Sequence, residues 1–201
     1  VVICGNARFT VLTPEMIRIE YSEKGMFEDR PTFTVVNRNL ELVDFKKKED
    51  DRFLYIQTDK VKLKYRKGTN PKTSPASPEN LTITIENHGC ETLWYPGKKD
   101  PLNLKGTCRT LDGSNGDNKR SELENGLISR SGWAVIDDSW EATRADGSHS
   151  FALEPNLEVG YDWWAYRNDP QAIDLYFMGY GNEYKKAIGD FTKIAGKIPL
   201  P

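Results

Sequence analysis

Asp137 and Asp138 stand side by side at the end of a short apolar run in SGWAVIDDS, residues 131–139. Two carboxylates are the equipment for cleaving a glycosidic bond, one as acid and the other as nucleophile or base. A retaining mechanism holds them about 5–5.5 Å apart on either side of one bond. Adjacent residues of a strand instead point to opposite faces. The pair therefore reads as the polar end of a strand, with one aspartate capping a turn through nearby backbone amides.

Other catalytic arrangements find little to work with. The two histidines are His88, in a turn-like ENHG stretch, and His149, just after the Asp146-Gly147 turn; both read as solvated loop residues. There is no GxSxG elbow, no HExxH and no phosphate-cradling loop. Gly179 and Gly181 in MGYGN mark a turn from strand to helix rather than a nucleotide site. Trp163 and Trp164 in YDWWAYR are adjacent, so one faces inward and the other is available to stack on a sugar ring or pack under a loop. Trp133 and Trp140 divide between core and hairpin packing. The segment RTLDGSNGDNKR, residues 109–120, is different. It sets Arg109, Asp112, Asn115, Asp117 and Asn118 in a glycine-punctuated loop, and such side chains can grip pairs of hydroxyls. An ordinary solvated loop has the same composition.

Positioning such a loop requires a scaffold, and most of the chain alternates with a period of two. ARFTVLT and MIRIEYS flank a Thr-Pro-Glu turn and predict a hairpin over residues 6–22. FTVVNR, RFLYIQT, KVKLKYR and LTITIEN predict further strands. In KVKLKYR, Val61, Leu63 and Tyr65 face inward and four cations outward, as in an antiparallel strand with one wet face. Residues 67–80 and 95–107 are rich in Pro, Gly, Ser and Asn and read as loops, the first with nothing to anchor it. Ser131-Gly132 predicts a tight turn, and DLYFMGYG one more strand. EYKKAIGDFTKIAG then spaces Tyr184, Ile188, Phe191 and Ala195 by three and four, which predicts a helix over 183–196 stopped at Gly196. The spacing of turn signals gives a mainly β, antiparallel β-sandwich of about 10–14 strands with a C-terminal helix.

Composition narrows the function classes. The 201 residues include five Trp, nine Tyr and eight Phe, which suits a packed domain. A net charge of −2 leaves no nucleic-acid footprint, and no apolar run is long enough to span a membrane. Cys4, Cys90 and Cys108 lie far apart without metal-ligand spacing and read as buried, inert thiols. The chain starts at Val with no signal-like stretch following, which reads as a cut start and leaves cytoplasmic and exported locations both open. The change to a helix and then KIPLP reads as a domain boundary, with an exposed apolar patch expected beside the helix.

Several stretches together resemble a known family. GNARFTVLTPEMIRIEYS, FEDRPTFTVVNR, LKGTCRTLDGSNG, GLISRSGWAVIDDS and DLYFMGYGNEYKKAIGDFTKIAGKIPLP, in that order, resemble the N-terminal region of family 31 glycoside hydrolases, the α-glucosidases and their relatives. The resemblance covers residues 5–201 and fits the bacterial α-glucosidase branch best. It implies a galactose-mutarotase-like sandwich (a supersandwich) over residues 1–182. Residues 183–201 would be the helix and linker to a catalytic (β/α)8 barrel. The family's two working aspartates lie in that barrel, so the resemblance assigns no catalytic residue, metal ligand or cofactor here. It implies two partners, the chain's own barrel and an oligosaccharide substrate. It also implies that the sandwich lends a loop to the substrate cleft, which makes Arg109, Asp112 and Asn115 the candidate substrate-binding residues. A stand-alone carbohydrate-binding module is the alternative reading; a sugar mutarotase would need an acid and a base converging in one cleft.

Overall fold

The alternating segments become two antiparallel sheets. The computed structural model describes residues 1–29, 32, 34–72, 76–87, 90–106, 123–139, 169 and 171–197. Sheet A holds β1 (Val2–Cys4), β2 (Ala7–Thr13), β3 (Met16–Tyr21), β9 (Ala134–Asp137) and β10 (Ile173–Met178), in the order β1-β2-β3-β10-β9. Sheet B is a meander of β4 (Lys46–Glu49), β5 (Phe53–Gln57), β6 (Val61–Arg66), β7 (Leu81–Asn87) and β8 (Cys90–Trp94). The helix α1 spans Tyr184–Ala195. The domain is thus mainly β, two antiparallel sheets with one C-terminal helix, as the alternation predicts.

The predicted hairpin forms between β2 and β3, with Phe9 opposite Ile19 and Val11 opposite Ile17. Strand β10, from the far end of the chain, pairs with β3 and places Leu175 opposite Ile19 and Phe177 opposite Ile17. One face of sheet A therefore presents an unbroken apolar surface. It meets the inward residues of sheet B, among them Leu54, Ile56, Leu63, Ile83 and Trp94, in one core. Rings fill its centre: Trp94 lies 4.9 Å from Phe177, and Phe9 5.1 Å from Tyr65. Burial pushes the Tyr65 hydroxyl up to about 12. Cys4, half-buried and free, has its thiol raised by burial and is correspondingly unreactive.

Two segments depart from the sequence reading. FTVVNR is no strand: its described residues run as an irregular strap. Val35 is fully buried, so the apolar position is real. The backbone partners belong to the helix, however: Val36 N–H and Asn37 N–H both donate to Ile194 O at 2.9 Å. Asn37 Nδ2 adds a bond to Lys193 O at 3.0 Å. The strap so satisfies carbonyls that the last helical turn would leave orphaned. The loop from Lys67, expected to be unanchored, is held by Asn80 Nδ2 to Asn70 O at 2.9 Å and Lys72 Nζ to Asp137 Oδ2 at 2.7 Å.

Helix α1 forms where its spacing predicts, and Gly196 follows with a φ of 82°. Its buried face is Ala187, Asp190 and Ile194, while Ile188 stays 46% exposed. Asp190 turns inward because Tyr180 Oη donates to its Oδ2 at 2.9 Å; the same hydroxyl lies 3.0 Å from Thr13 Oγ1. Lys186 pairs with the buried Glu15 at the β2–β3 turn. The helix is thereby fastened over the outer face of sheet A as part of a third layer, on a second cluster that includes Leu12, Met16, Val35, Tyr176 and Met178.

Candidate functional site

Asp137 and Asp138 separate as strand geometry demands. Asp137 is half-exposed, bonded to Lys72, and its Oδ1 accepts the Ser139 N–H at 3.1 Å. Partial burial opposes ionisation, yet the bonds from Lys72 and Ser139 win and hold its carboxyl below the ordinary range. Asp138 is fully buried on the other side, accepting from Thr32 Oγ1 at 2.7 Å, with Arg38 Nη2 at 3.5 Å. One aspartate caps its own turn and the other anchors the strap.

Arg109, Asp112 and Asn115 fall in residues 107–122, outside the described residues, as do Trp163 and Trp164. The stem that presents that loop is described in detail. Asp100 is buried and accepts Ser129 Oγ at 2.9 Å, Ser131 Oγ at 2.7 Å and Asn103 Nδ2 at 3.1 Å. Asn103 in turn ties both stem arms: its Oδ1 accepts Lys105 N–H and Gly126 N–H, each at 2.8 Å, and its Nδ2 donates to Gly126 O at 3.2 Å. Backbone bonds from Leu104 N–H to Ile128 O at 3.1 Å and from Gly106 N–H to Glu124 O at 2.8 Å extend the ladder to the loop's threshold. The arms approach so closely that a Cβ at Gly126 would lie 2.6 Å from Lys105 O.

The stem continues into the third layer. Gly132 and Gly181 touch between the turn before β9 and the turn after β10, with Gly181 N–H donating to Gly132 O at 2.9 Å. Both have positive φ, 80° and 57°, and a Cβ on Gly132 would sit 3.3 Å from the Gly181 Cα. A small hollow there is lined by Leu127, Ile128, Tyr184 and Ala187, so the stem and the first turns of α1 are neighbours. Leu102, Leu104 and Leu123 lie exposed along the stem, whereas on the helix Ile188 is the exposed large apolar residue.

Sequence reading missed a buried network of charge. Alternation sets Arg8, Arg18 and Glu20 on the faces opposite Phe9, Ile17 and Ile19, and these three are buried together with Asp174. Arg8 grips Glu20 through two bonds of 2.6 and 2.7 Å. Arg18 forks onto Asp174 at 2.8 and 2.7 Å and reaches Glu28 O at 2.6 Å. Burial disfavours the charged guanidinium, but the Asp174 bonds outweigh it and Arg18 holds its proton more tightly than usual. For Glu20, burial prevails over Arg8 and Arg18 and its carboxyl titrates above the ordinary value. The available signal was register: Arg8 stands opposite Glu20, and Asp174 opposite Glu20 on the other side. This paired cluster also holds the segment after β3, through Glu28 O and Asp29. Among the described residues no three His, Cys, Asp or Glu side chains are arranged to hold a metal ion. No described helix is long and apolar enough to cross a membrane.

Comparison with known proteins adds a likeness of fold. No protein-family model matches the chain, and no curated protein matches its sequence. Its fold is similar to that of a dextranase of glycoside hydrolase family 31 from Flavobacterium johnsoniae, solved in complex with isomaltotriose. The TM-score is 0.51 at 15% identity, over 98% of this chain and 26% of that one. The likeness is one of fold, and this chain spans about a quarter of the length of that enzyme.

Proposed function

We propose that the chain is the non-catalytic N-terminal sandwich of an α-glucosidase-like glycoside hydrolase. Residues 1–182 form the sandwich and residues 183–201 lead to a catalytic (β/α)8 barrel. The observation that carries this reading is the likeness of fold along nearly the whole chain to part of a family 31 enzyme. The ordered motifs that resemble the N-terminal region of that family support it independently. In this reading the parent enzyme hydrolyses terminal α-linked glucosyl residues with retention, using carboxylates that lie outside this chain. The sandwich steadies the barrel through α1 and the adjoining stem, where Leu102, Leu104, Leu123 and Ile188 offer apolar surface. The loop over 107–122 reaches the cleft, where Arg109, Asp112 and Asn115 bond sugar hydroxyls.

The stem geometry suits that role. A loop presented by a hydrogen-bonded ladder holds its side chains in place at lower entropic cost than one on a free linker. The test is an assay of the 201-residue chain alone on p-nitrophenyl α-glucoside and on isomaltose. No turnover above buffer is expected; turnover abolished by a substitution within residues 1–201 would overturn the reading.

A further inference from the structure

The outer face of sheet B carries charge that the fold does not neutralise. Phe53 stands opposite Arg66 on β6, and Tyr55 stands between Lys48 on β4 and Lys64 on β6. Lys64 Nζ lies over the Phe53 ring at 4.2 Å, and the Arg52 guanidinium over the same ring at 5.8 Å. The half-buried ring thus holds two cations on its faces while the register adds a third beside it. These three, with Glu79, Thr82 and Leu93, line an open hollow of about 510 Å³.

Some nearby lysines are paired within the fold. Lys62 pairs with Glu86 and Glu91 at 3.8 and 3.6 Å, and Lys67 with Glu49 at 2.9 Å. Arg52, Lys64 and Arg66 make no ion pair with any described residue. Three like charges around one ring repel one another, in a chain whose net charge is −2. An anion in the hollow would relieve that repulsion.

We propose that this hollow binds an acidic saccharide. The sugar carboxylates would meet Lys64, Arg66 and Arg52 beside the Phe53 ring, with the Thr82 hydroxyl at the margin. The positions favour a chain with widely spaced charges. Cross-strand neighbours are about 4.8 Å apart and next-but-one residues about 6.7 Å. Duplex nucleic acid carries one charge per about 1.7 Å, a denser array than three cations at these spacings match. The proposal uses different residues from the loop of 107–122 and stands or falls separately from it.

The experiment is calorimetric titration of the 201-residue chain with hexagalacturonate, with maltohexaose as the neutral control and a hexathymidylate as the nucleic-acid control. Binding of hexagalacturonate alone is expected, weakening as salt is raised. The double variant K64Q/R66Q, both positions exposed, should bind about tenfold more weakly or worse with an unchanged thermal midpoint. F53L should weaken binding less, by loosening Lys64 and Arg52. Absence of hexagalacturonate binding overturns the proposal. So does equal binding of maltohexaose, tighter binding of hexathymidylate, or indifference to K64Q/R66Q.

Discussion

The two sheets share one core and differ in what covers their other faces. Sheet A is covered on both sides. Its outer face carries Arg8, Arg18, Glu20 and Asp174, which are paired with one another and buried. Sheet B has one dry face, and its outer face shows Lys62, Lys64 and Arg66 to water. The residue types on these outer faces are alike, alternating charged positions in antiparallel strands. Burial converts one set into a structural network and leaves the other exposed to solvent. A charge therefore does different physical work on each sheet, and substitutions should separate the two.

The largest effect should come from breaking the sealed network. Asp174→Ala leaves the Arg18 guanidinium buried with its forked partner gone, which costs about 3–5 kcal/mol. Urea denaturation should show a lower midpoint at unchanged slope. Ile194→Ala, beneath the same covering layer and fully buried, should cost roughly 2–4 kcal/mol by leaving a cavity. It should also loosen the strap that bonds to the Ile194 carbonyl, visible as faster amide exchange at Val36 and Asn37.

An intermediate case sits at the rim. Asp29 receives bonds from Arg8 at 2.6 and 3.1 Å but is 76% exposed. Those bonds, against partial burial, hold its carboxyl below the ordinary value. A depressed native pKa contributes stability above the unfolded value of about 3.9, and that stability is lost as pH falls through the native value. Asp29→Asn should thus destabilise by less than about 1 kcal/mol at neutral pH, given solvent screening, and by nothing near about pH 2. Thermal melts at the two pH values read the difference directly. The smallest effect belongs to sheet B: Lys64→Gln should change stability by no more than about 0.5 kcal/mol. A large loss there would erase the distinction between the faces.

The same distinction marks how far the sequence could be read. KVKLKYR announces its own burial, because inward and outward residues differ in type. MIRIEYS hides it, because Arg18 and Glu20 look like solvent-facing residues and are buried through Asp174, far along the chain, and the segment after β3. FTVVNR has the residue types of a strand but pairs with none; it bonds to a helix end instead. In α1 the spacing of Tyr184, Ile188 and Phe191 locates the helix, while the face it buries is set by Asp190, whose polarity conceals its inward partner Tyr180. At the candidate site, the glycines and asparagines of 103–126 announce a loop. The Asp100–Asn103–Ser129 tie that makes a stem of it depends on residues up to 29 positions apart. No local pattern encodes such a contact.

In the proposed role this sandwich contributes binding rather than chemistry, through the loop on that stem. The most direct measurement is the kinetics of maltose hydrolysis by a polypeptide joining this chain to the catalytic barrel proposed for it, with and without Asp112→Ala. The account predicts a fall in kcat/KM of about tenfold or more, since a hydrogen bond to a sugar hydroxyl in a dry cleft is worth about 1.5–3 kcal/mol when one partner is charged. Unchanged kcat and KM would contradict it.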